Sequence, residues 1–230
     1  SVYKRPLAEQ WTGSIDLQNP EMLGAMAEAF KFFLAGAQDP QTGYWGAWYL
    51  DGARIVKTPD LSFTYHIVAY TNGRVNNWQA LLATTRAIER DEYPYGWSHD
   101  GAWNNHNLYD VTRMLRYGWR ELDLEGRAYW RDKIEEMVEW SLEHTVDPAR
   151  GFRYDPEFSP SLAAEYYFGV SFLDAAGYWR PERRFWSDEV IYLDATALCE
   201  PIKLTLDTIG SSGWAADAAA RKLNRNCPDL

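Results

Sequence analysis

The chain has little with which to hold a metal or grip a polyanion. It carries two cysteines, Cys199 and Cys227, and four histidines in 230 residues. Neither cysteine belongs to a Cys-x-x-Cys pair or stands beside a histidine, which argues against a zinc site. They either pair in an oxidising compartment or remain free thiols. No metal or cofactor is expected. Basic side chains are outnumbered 23 to 33, leaving a formal charge of −10. A nucleic-acid partner needs a basic face, so none is expected, and an acidic ligand would have to meet locally positive groups. No apolar run approaches the ~20 residues of a membrane span, so no membrane partner is expected. No signal peptide is visible, and Ser1 reads as a mature or trimmed end. A secreted or periplasmic location is the expectation. Strand-like alternation is scarce.

Aromatic residues are abundant: twelve Trp and fifteen Tyr. Many fall in turns beside glycine, as in Gly43-Tyr44-Trp45, Gly96-Trp97, Gly177-Tyr178-Trp179 and Gly213-Trp214. Such rings either plug the ends of helical hairpins or offer flat apolar faces to a ligand. A repeat organises them. Asp39-Pro40-Gln41-Thr42-Gly43-Tyr44, Asp91-Glu92-Tyr93-Pro94-Tyr95-Gly96-Trp97 and Asp147-Pro148-Ala149-Arg150-Gly151-Phe152 each follow an apolar helical run. Their glycines recur about every 54 residues, a period of stacked helical hairpins. The runs before the turns cover 22–34, 78–88 and 129–146. Helices after them are predicted at 59–71, 105–118 and 160–175, with a fourth hairpin at 194–209 and 213–225. Thr58-Pro59-Asp60 and Ser159-Pro160 read as helix starts. The expectation is one all-α domain over 1–230, of about eight helices in stacked hairpins, forming an α/α toroid or part of one. The second helix of each pair would form the inner layer. The helix at 124–144 has an ordinary charged outer surface.

The densest chemistry lies in Gly101-Ala102-Trp103-Asn104-Asn105-His106-Asn107-Leu108-Tyr109-Asp110-Val111. Leu108, Val111, Met114 and Leu115 have helical spacing, so these polar groups crowd a helix entrance. Capping accounts for one Asn, and the others must pair or catalyse. The neighbouring entrances carry Tyr65 and His66, then Glu165, Tyr166 and Tyr167. Inner helices converging on one cavity would bring His66 near His106.

Two resemblances attach to these residues. Asp39-Pro40-Gln41-Thr42-Gly43-Tyr44-Trp45, with the preceding Lys31-Phe32-Phe33-Leu34 and Gln38, resembles the Gln-Trp repeats of terpene cyclases. Asn104-Asn105-His106-x-x-Tyr109-Asp110-Val111 resembles the Asn-Asn-His motif of alginate-lyase-type polysaccharide lyases, which are α/α toroids with this motif on an inner helix. The second resemblance implies β-elimination on a uronate-containing polysaccharide, with Asn105 holding the uronate carboxylate. An acidic polysaccharide or oligosaccharide would be the partner.

That chemistry needs a neutralised carboxylate, a base and an acid. His106 suits proton abstraction or carboxylate neutralisation because an imidazole titrates near neutrality. Tyr109, Tyr65, Tyr166 and Tyr167 all qualify as the tyrosine that exchanges a proton. Arg113 lies two helical turns beyond His106 and shares its face; Arg54 and Lys57 could also add positive charge. The candidate catalytic residues are therefore Asn105, His106 and Tyr109. The candidate substrate contacts are His66, Tyr65, Arg113, Trp103, Trp45 and Tyr166.

Other readings stand beside these. His66 sits between Tyr65 and Ile67 on a strongly apolar helix, which favours a core histidine over a ligand or base. Asp110 and Glu165 could be the paired carboxylates of a glycoside hydrolase, or Asp110 could orient a neighbour while Glu165 pairs with an arginine. Arg180, Arg183 and Arg184 read as a solvated loop. A non-catalytic binding module is the third class.

Overall fold

The structure is a computed structural model that describes residues 20–156, 159–188, 192–210 and 213–228. It is mostly helical. The chain divides into two compact units, 1–38 and 39–230. The first contains α1 (Pro20–Ala37), which opens with Pro at its first position and Glu21 in its first turn, both suited to a helix N-terminus.

The second unit alternates helices with short links. In chain order it contains β1 (Trp48–Asp51), β2 (Arg54–Lys57), α2 (Leu61–Tyr70), α3 (Trp78–Ala87), α4 (Asn105–Gly118) and α5 (Leu124–Thr145). There follow β3 (Val146–Asp147), β4 (Gly151–Phe152), α6 (Leu162–Ala176), α7 (Cys199–Ile209) and α8 (Trp214–Asn226). The strands form two separate two-stranded antiparallel hairpins, β1 with β2 and β3 with β4. Both are confined to linking segments, so the helical character holds. α4 packs between α2 and α6, and α6 packs in turn against α8. α3, α5 and α7 are the return helices between these four.

Sequence dictates these elements locally. In α5, Trp130, Ile134, Met137, Val138 and Ser141 are buried at the spacing of a single helical stripe. The starts are set by side-chain caps. Asp60 accepts from the Phe63 backbone N–H (2.7 Å), Asn104 from Asn107 (2.9 Å), Asp123 from Gly126 (2.7 Å) and Ser161 from Ala164 (3.1 Å). The starts read at Thr58-Pro59 and Ser159-Pro160 therefore move by two residues, because Asp60 and Ser161 do the capping.

The repeated turns share a device. Asp39 Oδ1 accepts from the backbone of Gln41 (2.8 Å) and Thr42 (3.1 Å), and Asp147 Oδ1 from Ala149 (2.8 Å). Gly43 ends the first turn at φ +70°, where a Cβ would lie 2.4 Å from the Leu81 backbone nitrogen. Gly96 answers a different need: its Cβ would stand 2.3 Å from the Ile88 carbonyl oxygen. The aromatic residues of these turns plug the core. Tyr44, Trp45, Trp97 and Phe152 are all buried.

Cys199 and Cys227 form a disulfide joining the start of α7 to the end of α8 across 28 residues. Their sulfurs are thus bonded to each other and unavailable to a metal. Closing a loop of that length restricts the unfolded chain. Replacing both cysteines with Ala should lower the unfolding free energy by about 2–4 kcal/mol in urea titration. An unchanged midpoint would show that the bridge does not constrain the native pair.

Candidate functional site

Polar and aromatic side chains from α2, α4, α6 and α8 meet beside the entrance of α4. The Leu61 backbone N–H donates to the Pro94 carbonyl (2.6 Å), which ties the start of α2 to the turn before α4. Asn107 Nδ2 donates to the Trp97 carbonyl (2.7 Å), tying α4 to the same turn. These anchors set Tyr93 against His106, ring centroids 5.2 Å apart, while Phe168 of α6 stacks on the same ring at 3.9 Å. His106 keeps 36% of its side chain exposed. Tyr109 packs edge-on against Tyr65 (5.7 Å) and Tyr167 (6.4 Å).

Two cations border this cluster. Arg113 lies 5.9 Å from the Tyr109 ring centroid, and one of its terminal nitrogens donates to the Tyr117 hydroxyl (3.1 Å). Its Nε has no hydrogen-bond partner among the described residues. Lys222 of α8 lies 5.0 Å over Tyr109 and 4.5 Å over Tyr167, and donates to Ser171 Oγ.

Burial sets the protonation of the group. Desolvation, helped by His66, pushes His106 down to about 4. Asp110 is 1% exposed, and desolvation raises its carboxyl well above the usual range against the pull of Arg113. The contact between His106 Nε2 and Asp110 Oδ2, 3.8 Å, joins two groups whose charged forms are both disfavoured by desolvation. Tyr167 and Tyr93 are each raised by burial to about 12, and Tyr65 is raised by the same cause. Lys222 is lowered by desolvation to about 8.

The structure gathers Tyr65, His66, His106, Tyr109 and Arg113. His66 is exposed on α2 against the rings of Tyr65 (5.1 Å) and Tyr70 (5.7 Å), rather than sitting in the core. The other candidates lie elsewhere. Tyr166 is buried, with its hydroxyl on the Phe152 N–H (3.2 Å) and the Arg150 carbonyl, pinning β4. Trp103 belongs to a ring stack with Trp97 and Trp140, on the α5 side of α4. Trp45 is a core side chain whose backbone exchanges hydrogen bonds with Thr64. Lys57 is held by Asp39 (2.9 Å) against Trp48. Arg184 is buried on the Gly177 carbonyl rather than solvated.

Asn105 is 2% exposed and fully engaged. Its Nδ2 donates to Thr145 Oγ1 (3.0 Å) and Glu165 Oε1 (3.2 Å), and its Oδ1 accepts from Ser141 (2.7 Å). Both amide hydrogens are spoken for, so this residue joins α4 to α5 and α6. Glu165 correspondingly meets an amide where an arginine was expected.

Sequence reasoning missed Lys222 and Tyr93. A lone Lys within the Ala-rich α8 carries no signal until the packing of α6 on α8 is known. Among the described residues, no group of three or more His, Cys, Asp or Glu could hold a metal ion. A separate cavity of about 260 Å³ is lined by Asp39, Thr42, Trp48, Lys57 and Thr58, away from these residues.

Replacing Asn105 with Ala would remove the hydrogen bonds to buried Ser141 and half-buried Thr145 and Glu165 that join α4 to α5 and α6. The expected loss is about 2–4 kcal/mol of unfolding free energy. A variant of undiminished stability that lost only ligand binding would return Asn105 to a ligand-contacting role.

Compared with protein-family models, curated proteins and solved structures, the chain matches none.

Proposed function

We propose that the face formed by His106, Tyr109, Arg113 and Lys222 is the active site of a polysaccharide lyase. It would cleave a uronate-containing polysaccharide by β-elimination, on helical hairpins arranged as part or all of an α/α toroid. The observation that carries this reading is the pair of cations bracketing Tyr109, one with an unpartnered Nε, beside an imidazole that is uncharged at neutral pH. Arg113 and Lys222 take the part expected of Asn105 and neutralise the uronate carboxylate, which acidifies the neighbouring C5 proton. His106 accepts that proton. Tyr167, a phenol raised by burial, keeps its own proton at neutral pH and serves as the acid that protonates the leaving oxygen, with Tyr109 packed edge-on against it. The Cys199–Cys227 bridge suits an oxidising compartment, secreted or periplasmic.

A glycoside hydrolase has less support. Asp110 is wholly buried and Glu165 is occupied by Asn105.

An ultraviolet screen of the purified protein against acidic polysaccharides tests the proposal. A new conjugated double bond supports the lyase. New reducing ends without that absorbance indicate a hydrolase, and saturable binding without either product indicates a binding module. On the true substrate, His106→Ala should lose at least ~10²-fold in rate while keeping its helical circular dichroism. Lys222 is charged below about 8 and neutral above, so the rate should fall as pH rises through that value. Lys222→Met should be slow and lack that alkaline limb; a variant that keeps the limb would remove Lys222 from the site.

A further inference from the structure

Asp110 is a buried carboxyl with no visible means of support. Neither oxygen has a hydrogen-bond partner among the described residues, and neither touches solvent. A carboxyl in that position is costly unless something nearby shares its proton. The groups acting on it come from several elements around the site: Tyr65 on α2, His106 and Arg113 on α4 and Tyr167 on α6, with Tyr93 from the preceding turn. Tyr65, Tyr93 and Tyr167 are raised by burial and hold their protons, and the Arg113 guanidinium has only donors. One basic nitrogen remains, His106 Nε2, one helical turn away and 3.8 Å from Oδ2. Phe168 and Tyr93 pack against the ring, which stays 36% exposed. Sites of this kind are often loose without ligand and tighten when it binds.

We propose that Asp110 and His106 form a one-proton relay, in which a proton accepted at Nδ1 releases the Nε2 proton to Asp110 Oδ2. In the empty form Asp110 is a carboxylate facing Nε2–H across that contact, and Nδ1 carries the lone pair. When Nδ1 takes a proton from substrate, the N–H bond forms there, the Nε2–H bond breaks and an O–H bond forms on Asp110. The imidazole ends neutral, in the opposite tautomer, and the carboxyl holds the proton. Arg113 steadies the carboxylate of the empty form. Run backwards, the filled pair donates from Nδ1, so an imidazole too acidic to be charged at neutral pH still delivers a proton. Asp110 acts through His106 and is a positioning residue that also stores charge. The relay's part in turnover rests on the lyase reading; its existence does not.

The test is nitrogen-15 NMR of the histidine rings in the full chain across pH. In the native protein His106 should switch from the Nε2–H to the Nδ1–H tautomer as pH falls through the titration of the pair, well above 4, without becoming an imidazolium. Asp110→Asn should abolish the switch and leave a single protonation near 4. A native His106 that protonates in one step with no change of tautomer overturns the relay, and needs no variant to show it. On an active substrate, the acid limb of the rate profile should shift downward in Asp110→Asn with a lower plateau; an unmoved limb also overturns it. A tautomer switch in a protein inactive on every polysaccharide would sink the lyase reading and leave the relay standing.

Discussion

The amide of Asn105 is the constraint on which the site depends. It lies in the first turn of α4, where backbone N–H groups are still seeking partners and the chain has just entered the core. One small side chain joins α4 to Ser141 and Thr145 of α5 and to Glu165 of α6. That fixes the rotation of α4 about its axis. Once it is fixed, His106 faces outward, Asp110 faces inward beneath it, and Tyr109 meets Tyr65 and Tyr167. A rotation of one residue, about 100° on an α-helix, would dissolve all of these contacts together.

Desolvation then sets the chemistry. A half-buried imidazole, a buried carboxyl, a buried phenol and a half-buried ammonium are all displaced toward their neutral forms. Four helices that bury their apolar stripes around α4 place polar groups within a few ångströms in a medium that penalises charge. Arg113 alone is certain to stay charged, and its neighbours respond to it.

Much of the fold was legible because helices announce themselves twice, through periodicity and caps. The runs from Leu108 to Leu115 and from Trp130 to Ser141 show a 3.6-residue stripe, and an Asn does cap α4, whereas Asp60 and Ser161 cap two residues beyond the Thr58-Pro59 and Ser159-Pro160 starts that the sequence suggested. The site was legible only in part. Tyr166 and Tyr167 are adjacent, yet one pins β4 and the other faces Tyr109 and Lys222. Composition names both, and only the phase of α6 chooses between them. Asn105 and His106 are adjacent as well, and their motif says nothing about which points inward. Lys222 was invisible because its meaning comes from helix packing across more than fifty residues of chain, a separation that no local pattern spans.

The chain's excess of negative charge need not repel an anionic ligand. Exposed charges are screened beyond about 8–10 Å at physiological salt, whereas a partly buried charge is screened far less. Much of the acidity is spread along outer surfaces such as α5, where Glu136 already meets Lys133. What an approaching carboxylate senses at close range is Arg113 and Lys222 set against aromatic faces, beside an Asp110 carboxyl whose charge burial disfavours. A site can therefore be cationic within an anionic protein, provided burial disfavours the charge on its own acid.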